Sequence, residues 1–227
     1  MSPALFVTGT DTGVGKTVAA CALVRGLRDQ GLDVGVMKPI ETGVDPAAGP
    51  LDAIALSAAA GQPDALDLVC PVRFALPAAP CVAAEDEGKK VDLAPVHRAF
   101  HQLAARHDWL VVEGAGGLLV PTTPDATMAD LAQDLSLPVL LVARPALGTI
   151  NHTRLCVEET LRRGLDLVGV VVSHDHTVSD ADAKNLDYLR RWLGERLLAE
   201  IPVVEDLEPI PLDPEALAKL IERVART

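Results

Sequence analysis

The residues with the clearest capacity for chemistry lie near the start of the chain, in "TGTDTGVGKTV" (Thr8 to Val18), directly after the apolar run Ala4 to Val7. Gly13 and Gly15 let the backbone curl so that successive N–H groups point inward. Lys16 and Thr17 then open a helix, and a helix N-terminus is itself a site for anions. The stretch matches the phosphate-cradling pattern G-x-x-x-x-G-K-[ST], with Thr10 in place of its first glycine. In such a loop Lys16 reaches the β- and γ-phosphates of a nucleotide and the Thr17 hydroxyl ligates Mg²⁺. A chance strand-to-helix turn is the plainer alternative, but the placement between an apolar strand and a helix favours the nucleotide.

Other polar residues stand at the ends of apolar runs. Lys38, in "MKPIETG", would bring a second cation to the rim that carries the loop, where it can neutralise charge developing on a transferred phosphoryl group. A solvated lysine is its bland alternative. Thr42 and Gly43 follow in what reads as a tight loop able to hold a small polar substrate, although a simple turn explains them equally well. Glu113, in "VEGAGG", is a carboxylate at the tip of an apolar run, costly there unless it is paired or holds a metal. It fits the acidic residue that closes a Mg²⁺ shell. Asp52, in "PLDAIAL", is a second candidate for that shell, although capping of a helix would also account for it. His174 and His176 alternate as H-x-H, a zinc-binding spacing, yet no third ligand stands at a matching distance and a simple loop is the better reading.

These residues need a frame. Val/Leu-rich runs at Ala4 to Gly9, Asp33 to Pro39, Trp109 to Gly116, Pro138 to Arg144 and Leu167 to Ser173 read as strands buried on both faces. Between and after them, helical periodicity covers Lys16 to Gln30, Asp52 to Ala60, Leu93 to Arg106, Asn151 to Arg163, Ala181 to Leu193 and Pro214 to Arg226. The segment Ala75 to Lys90, rich in Pro and Ala, reads as loop with a short helix. Alternating strands and helices predict one α/β domain over residues 1–227, a doubly wound, mostly parallel sheet with helices on both faces. Ligands in such sheets sit beyond the carboxyl ends of the strands, where the residues above cluster.

Composition agrees with that frame. The chain has 227 residues, 49% of them hydrophobic, enough for one core. Its 20 Lys plus Arg against 32 Asp plus Glu give a net charge of −12, which disfavours nucleic acid and anionic membranes as partners. The N-terminus does not read as a secretory signal, and no apolar run is long enough to span a bilayer, so a cytoplasmic protein is expected. Cys21, Cys70, Cys81 and Cys156 lack C-x-x-C spacing and are expected to be reduced thiols.

Taken in order, "GTDTGVGKT", "MKPIETG", "VEGAGGLLVP", "LGTINHT" and "AEIP" resemble the dethiobiotin synthetase family, together with "PAAP" at Pro77 to Pro80, over essentially the whole chain. The resemblance implies a nucleotide-hydrolase type of fold with a phosphate loop, and a ligase acting on 7,8-diaminopelargonic acid, CO₂ (or bicarbonate) and MgATP. A carbamate forms on one amine, ATP phosphorylates it, and the second amine closes the ureido ring. Carried over by residue, Gly13, Val14, Gly15, Lys16, Thr17 and Val18 resemble the nucleotide loop, and Gly114, Ala115 and Gly116 are expected to contact the nucleotide with it. Thr17, Asp52 and Glu113 resemble the Mg²⁺ shell. Lys16 and Lys38 match the phosphate and carbamate lysines, and Thr12 and Thr42 the positions that hold diamine and carbamate. Pro80 belongs to the substrate segment. Asn151 corresponds to the helix start that receives the substrate's distant carboxylate from the other subunit of a homodimer. Pro202, Val203 and Val204 correspond to the base pocket.

Two positions depart from the family. Its adenine-reading Asn is replaced in "GVVVSHDH" by Ser173 or His174, and Gly13 stands where relatives can carry Glu. A regulatory ATPase of the partition or septum-positioning type is the rival class. Its signature lysine, five residues before Lys16, is Asp11 here. A nearer rival, the synthetase half of a cobyrinate amidase, shares "GVGKT", but no glutaminase triad is read in this chain. The guanine motif N-K-x-D does not occur.

Overall fold

The computed structural model describes residues 2–61, 64–174, 179–203 and 211–227. The first half runs β1 (Ala4–Gly9), α1 (Lys16–Asp29), β2 (Val34–Met37), β3 (Ile40–Thr42), α2 (Leu51–Ala60), α3 (Leu66–Val69), β4 (Val72–Phe74), α4 (Pro80–Asp86) and α5 (Ala94–Ala104). It continues with β5 (Trp109–Gly117), β6 (Pro121–Thr123), β7 (Ala126–Thr127), α6 (Met128–Asp134), β8 (Val139–Ala143) and α7 (Thr149–Arg162). The chain closes with β9 (Leu167–Ser173), α8 (Asp180–Leu193), β10 (Leu197–Ile201) and α9 (Pro214–Val224).

Six strands form one sheet in the order β10-β9-β8-β1-β5-β2, and every neighbouring pair in it is parallel. Alternation along each strand sends successive side chains to opposite faces. Leu5 and Val7 of β1 pack with α1, α2 and α9, whereas Ala4 and Phe6 pack with α5 and α6. Leu141 and Val170 extend that second face beneath α7 and α8. Both faces are therefore covered, as the Val/Leu-rich runs predict. From β1 the chain builds outward to β2 on one side, with β5 inserted between them, and to β8, β9 and β10 on the other. The crevice where the order diverges opens at the carboxyl end of β1.

Several elements differ from the sequence expectation. The sixth strand, β10, was not legible as one: it is short, only Ile201 of it is fully buried, and it follows α8 after a single 3₁₀ turn. Half open to solvent, β10 lacks the continuous apolar run of a strand covered on both faces, which β2 at the other edge keeps. Thr42 lies not in a tight loop but in β3, which pairs with β4 in a small parallel sheet of its own. Helix α6 also escaped the periodic reading, although it carries a capping box in which Thr127 accepts from the Asp130 N–H and Asp130 accepts from the Thr127 N–H. Helix α4 is the short helix expected inside Ala75 to Lys90.

All four cysteines are free thiols. Burial pushes Cys21 and Cys70 up to about 12, which keeps them protonated and unreactive. Among the described residues no helix is long and apolar enough to cross a membrane.

Candidate active site

The loop after β1 takes the shape its glycines allow. Gly13 and Gly15 both adopt left-handed backbone angles, φ 71° and 84°. Gly15 is the N-cap of α1 and has no side chain to offer, so the first-turn N–H groups lack an internal cap and face the crevice. A side chain could not replace it. A Cβ at Gly15 would lie 2.3 Å from the Ser173 hydroxyl oxygen, on top of an unfavourable φ. Gly15→Ala is expected to destabilise the protein by about 1–3 kcal/mol and to weaken nucleotide binding. Chemical denaturation with and without nucleotide measures both effects, and an unchanged midpoint would refute the packing. Lys16 arches back over the loop, its ammonium donating to the Asp11 carbonyl at 3.3 Å. Burial, and after it the nearby Lys38 charge, lowers its pKa below the ordinary lysine value. An anion in the loop would relieve both influences.

Beside the loop lies a cluster that the sheet alternation builds. Trp109 and Val111 of β5 face α1 and α2, so Glu113, two residues on, faces the same way. Thr17 enters from α1, Asp52 from the first turn of α2, and Lys38 from the residue after β2. The Lys38 ammonium donates to Glu113 Oε1 at 2.5 Å, to Asp52 Oδ2 at 2.7 Å and to the Gly114 carbonyl at 3.4 Å. The Thr17 hydroxyl donates to the same Glu113 oxygen at 3.0 Å. Glu113 is 0% exposed and Lys38 2%. The other carboxylate oxygen of Glu113 is buried with no hydrogen-bond partner among the described residues.

The charges shape one another's protonation. Burial is the largest influence on Lys38 and by itself would lower its pKa; Glu113 and Asp52 together outweigh it and hold the ammonium firmly protonated. Burial would raise Asp52, but Lys38, the Thr17 hydroxyl and Lys16 carry it below the ordinary carboxylate value. Lys38 and Asp52 are thus both ionised at neutral pH and paired directly.

Sequence reasoning missed one residue here. Helix α2 begins after Pro50, which has no side chain able to cap it. Glu41 of β3 does so instead, its carboxylate oxygens accepting from the Asp52 and Ala53 N–H groups at 3.0 Å each. Burial raises the Glu41 pKa against these two bonds. The uncapped α2 N-terminus was the available signal, since its N–H groups need an acceptor from elsewhere.

One cavity of about 380 Å³ joins these groups, lined by Thr12, Gly13, Gly15, Lys16, Thr17, Val18, Lys38, Glu41, Thr42, Asp52, Glu113, Ala115 and Gly116. Val14 is buried in the core beneath the loop, and Gly114 packs its backbone against Phe6. Ser173 is buried under Gly15, and the His174 imidazole lies 3.5 Å from Glu200 of β10. Pro80 begins α4. Asn151 is not in this cavity. It lies in the first turn of α7, on a separate hollow of about 530 Å³ with Leu147, Arg154 and Leu155. Pro202 lines a third hollow, beside Ile201 and Leu212, and Val203 is exposed. Val204 and His176 lie outside the described residues.

The donor set can hold a hard cation. Among the described residues no three His, Cys, Asp or Glu side chains gather as a metal cage. Two carboxylates, one of them with a buried unpartnered oxygen, and a hydroxyl are instead what Mg²⁺ uses when phosphates and waters complete its octahedron.

Known proteins share both the sequence and the fold. A family model described as an AAA domain matches residues 3–211. The "ATP-dependent dethiobiotin synthetase BioD" of Anaeromyxobacter dehalogenans is 50% identical over 204 residues, covering 89% of this chain and 91% of that protein. The protein of the same name from Aquifex aeolicus is 37% identical over 209 residues, covering 92% of each. Among solved structures, the MinC:MinD cell division complex of Aquifex aeolicus aligns with TM-score 0.55 at 15% identity, over 99% of this chain and 95% of that one. A plasmid partition protein of Borrelia burgdorferi aligns with TM-score 0.54 at 12% identity, over 99% and 98%. At such identities these structures speak for the fold alone. Half the residues in common across nine-tenths of two chains is a closer bond, and this chain belongs to the dethiobiotin synthetase family.

Proposed function

We propose that this chain, acting as one domain, carboxylates 7,8-diaminopelargonic acid with CO₂ and closes the ureido ring at the expense of ATP, giving dethiobiotin, ADP and phosphate. The observation that carries the reading is the convergence of Lys16, Lys38 and the Thr17–Asp52–Glu113 set on one cavity at the crevice of the sheet. Kinship to the named synthetases supplies the substrates.

The chemistry is a problem of charge. One substrate amine attacks CO₂ and loses a proton, leaving a carbamate anion that must approach an already anionic γ-phosphate. The N–H groups of the loop and α1 hold the nucleotide's phosphates, and Lys16 spans the β- and γ-phosphates. Lys38 draws the carbamate oxygen towards phosphorus. The P–O bond to ADP breaks as the carbamate–phosphate bond forms. The second amine then attacks the carbamate carbon, phosphate departs with the C–O bond electrons, and the amine gives up its proton. Thr12 and Thr42, both on the cavity wall, orient the diamine and carbamate. Thr17, Asp52 and Glu113 would hold Mg²⁺, which when bound neutralises charge between the β- and γ-phosphates. Lys38 and Lys16 contribute by position and electrostatics, without a covalent intermediate.

Asn151, at the start of a fourteen-residue helix, would receive the substrate's far carboxylate. Its separation from the phosphate cavity supports a homodimer in which α7 of one copy completes the site of the other. Leu147, 90% exposed on the same hollow, fits such a contact. The enzyme would work in the cytoplasm, where diamine and ATP meet.

The test is formation of dethiobiotin from diaminopelargonate and bicarbonate with each of the four nucleoside triphosphates, read by mass spectrometry. Product is expected with Mg²⁺ present. Since Ser173 and His174 offer no carboxamide to the base, discrimination of ATP from the other triphosphates is expected to be weak, within about tenfold. Triphosphate hydrolysis without ring product would overturn the synthetase reading in favour of a nucleotide switch.

A further inference from the structure

Lys38 is assigned above to the reacting anions, yet its ammonium points at the carboxylates. It lies 2.5 Å from Glu113 and 2.7 Å from Asp52, and the Thr17 hydroxyl shares the same Glu113 oxygen. These are the three side chains offered to Mg²⁺. A buried carboxylate with one oxygen unpartnered and the other bonded to a lysine is a cation site filled by a tethered cation.

We propose that Lys38 is the resident counter-ion of the divalent-cation site, so that a metal entering beside Glu113 and Asp52 displaces the ammonium into the phosphate-loop cavity. The inference rests on the assignment of Thr17, Asp52 and Glu113 as metal ligands in the proposed function, and deepens it. An ammonium and a doubly charged ion cannot occupy one small pocket, because their repulsion is weakly screened where Glu113 and Lys38 are both buried. Lys38 borders the cavity that Thr12, Thr42 and Lys16 also line, which gives the ammonium open space to enter. A side-chain rotation would carry it there, since Lys38 follows the last residue of β2 and is not held within the strand. Lys38 then does two things in turn. It keeps the carboxylates compensated while the site is empty, and it is released towards the anionic reactants when metal arrives. The phosphates and carbamate would hold it in the second position.

The device makes Lys38 a competitor of the metal, which sets its signature apart from that of a lysine serving phosphate alone. A competitor that occupies the site most of the time lowers apparent metal affinity by the fraction of time the site is free. The experiment is a Mn²⁺ titration of the nucleotide-free protein, read from the electron paramagnetic resonance of unbound Mn²⁺, for wild type, Lys38→Met and Lys16→Met. Lys38→Met is expected to bind Mn²⁺ at least ~10-fold more tightly than wild type. Lys16→Met, whose ammonium bonds the Asp11 carbonyl and not the carboxylates, is expected to stay within about threefold. Equal or weaker binding by Lys38→Met, or the same gain in both variants, would overturn the proposal.

A measurement on the unaltered protein guards against misfolding of the variant. Reductive methylation followed by peptide mass spectrometry is expected to modify Lys38 slowly without metal and at least ~5-fold faster with saturating Mg²⁺, as the paired ammonium becomes accessible. An unchanged rate would also overturn the exchange. Neither assay contains ATP or diamine. Loss of the ring-closure reading would therefore leave these results standing, and their failure would leave ring closure untouched.

Discussion

Replacing Lys38 by alanine is expected to lower turnover in ring closure at least ~100-fold, with a much smaller change in the KM for ATP. In the proposed reaction the ammonium serves a charge that exists only as the carbamate oxygen and the γ-phosphate come together, so its loss would fall on the transition state. Lys16→Ala is expected to cost at least as much in turnover and also to weaken nucleotide binding, because Lys16 sits on the loop that holds the phosphates. Steady-state measurement of dethiobiotin over a range of ATP concentrations separates the two patterns. Ring closure at the wild-type rate by either variant would remove that lysine from the mechanism.

The second large effect concerns stability as well as activity. Glu113 is fully buried against Lys38, and Asp52, the other partner, is 42% exposed at its side chain. Glu113→Ala leaves a buried ammonium compensated only by a partly solvated carboxylate. Breaking a buried ion pair from one side costs roughly 3–5 kcal/mol, and the remaining Asp52 argues for the lower end. For a chain of this length that corresponds to a fall of roughly 6–12 °C in Tm. Activity should vanish too, since the proposed cation site would lose its buried carboxylate. The double variant Lys38→Met/Glu113→Leu is expected to recover most of the lost stability and none of the activity, because a buried ion pair is often replaceable by apolar side chains of similar volume. Calorimetry of the two variants decides the matter: an unshifted Tm in Glu113→Ala would mean that the pair carries no stabilising weight.

The parts of the fold that were legible in the sequence share one property, a pattern repeated over many neighbouring residues. The five apolar runs announced strands buried on both faces, and the six long helices showed their apolar stripes within two residues of the observed ends. What escaped was short or half-exposed. Leu197 to Ile201 mixes Leu, Ala and Glu at an open edge, so neither period dominates. Glu41 escaped because its importance depends on α2, ten residues further along the chain, beginning at a proline with no cap of its own.

The same division runs through the site. The order of glycines, lysine and threonine after β1 determined the phosphate loop, because left-handed backbone angles and a helix start are local demands that only certain residue types meet. Residue types also marked Lys38, Asp52 and Glu113 as candidates. Only tertiary structure decided that they touch. Insertion of β5 between β1 and β2, the face on which Glu113 emerges, and the docking of α1 and α2 over that face bring together groups that lie tens of residues apart. No local pattern encodes such an approach, since it follows from strand order and burial of the whole sheet. The consequence no spacing could express is that Lys38, chosen from sequence as a ligand for reacting anions, is paired with Glu113 and Asp52, the carboxylates proposed as metal ligands.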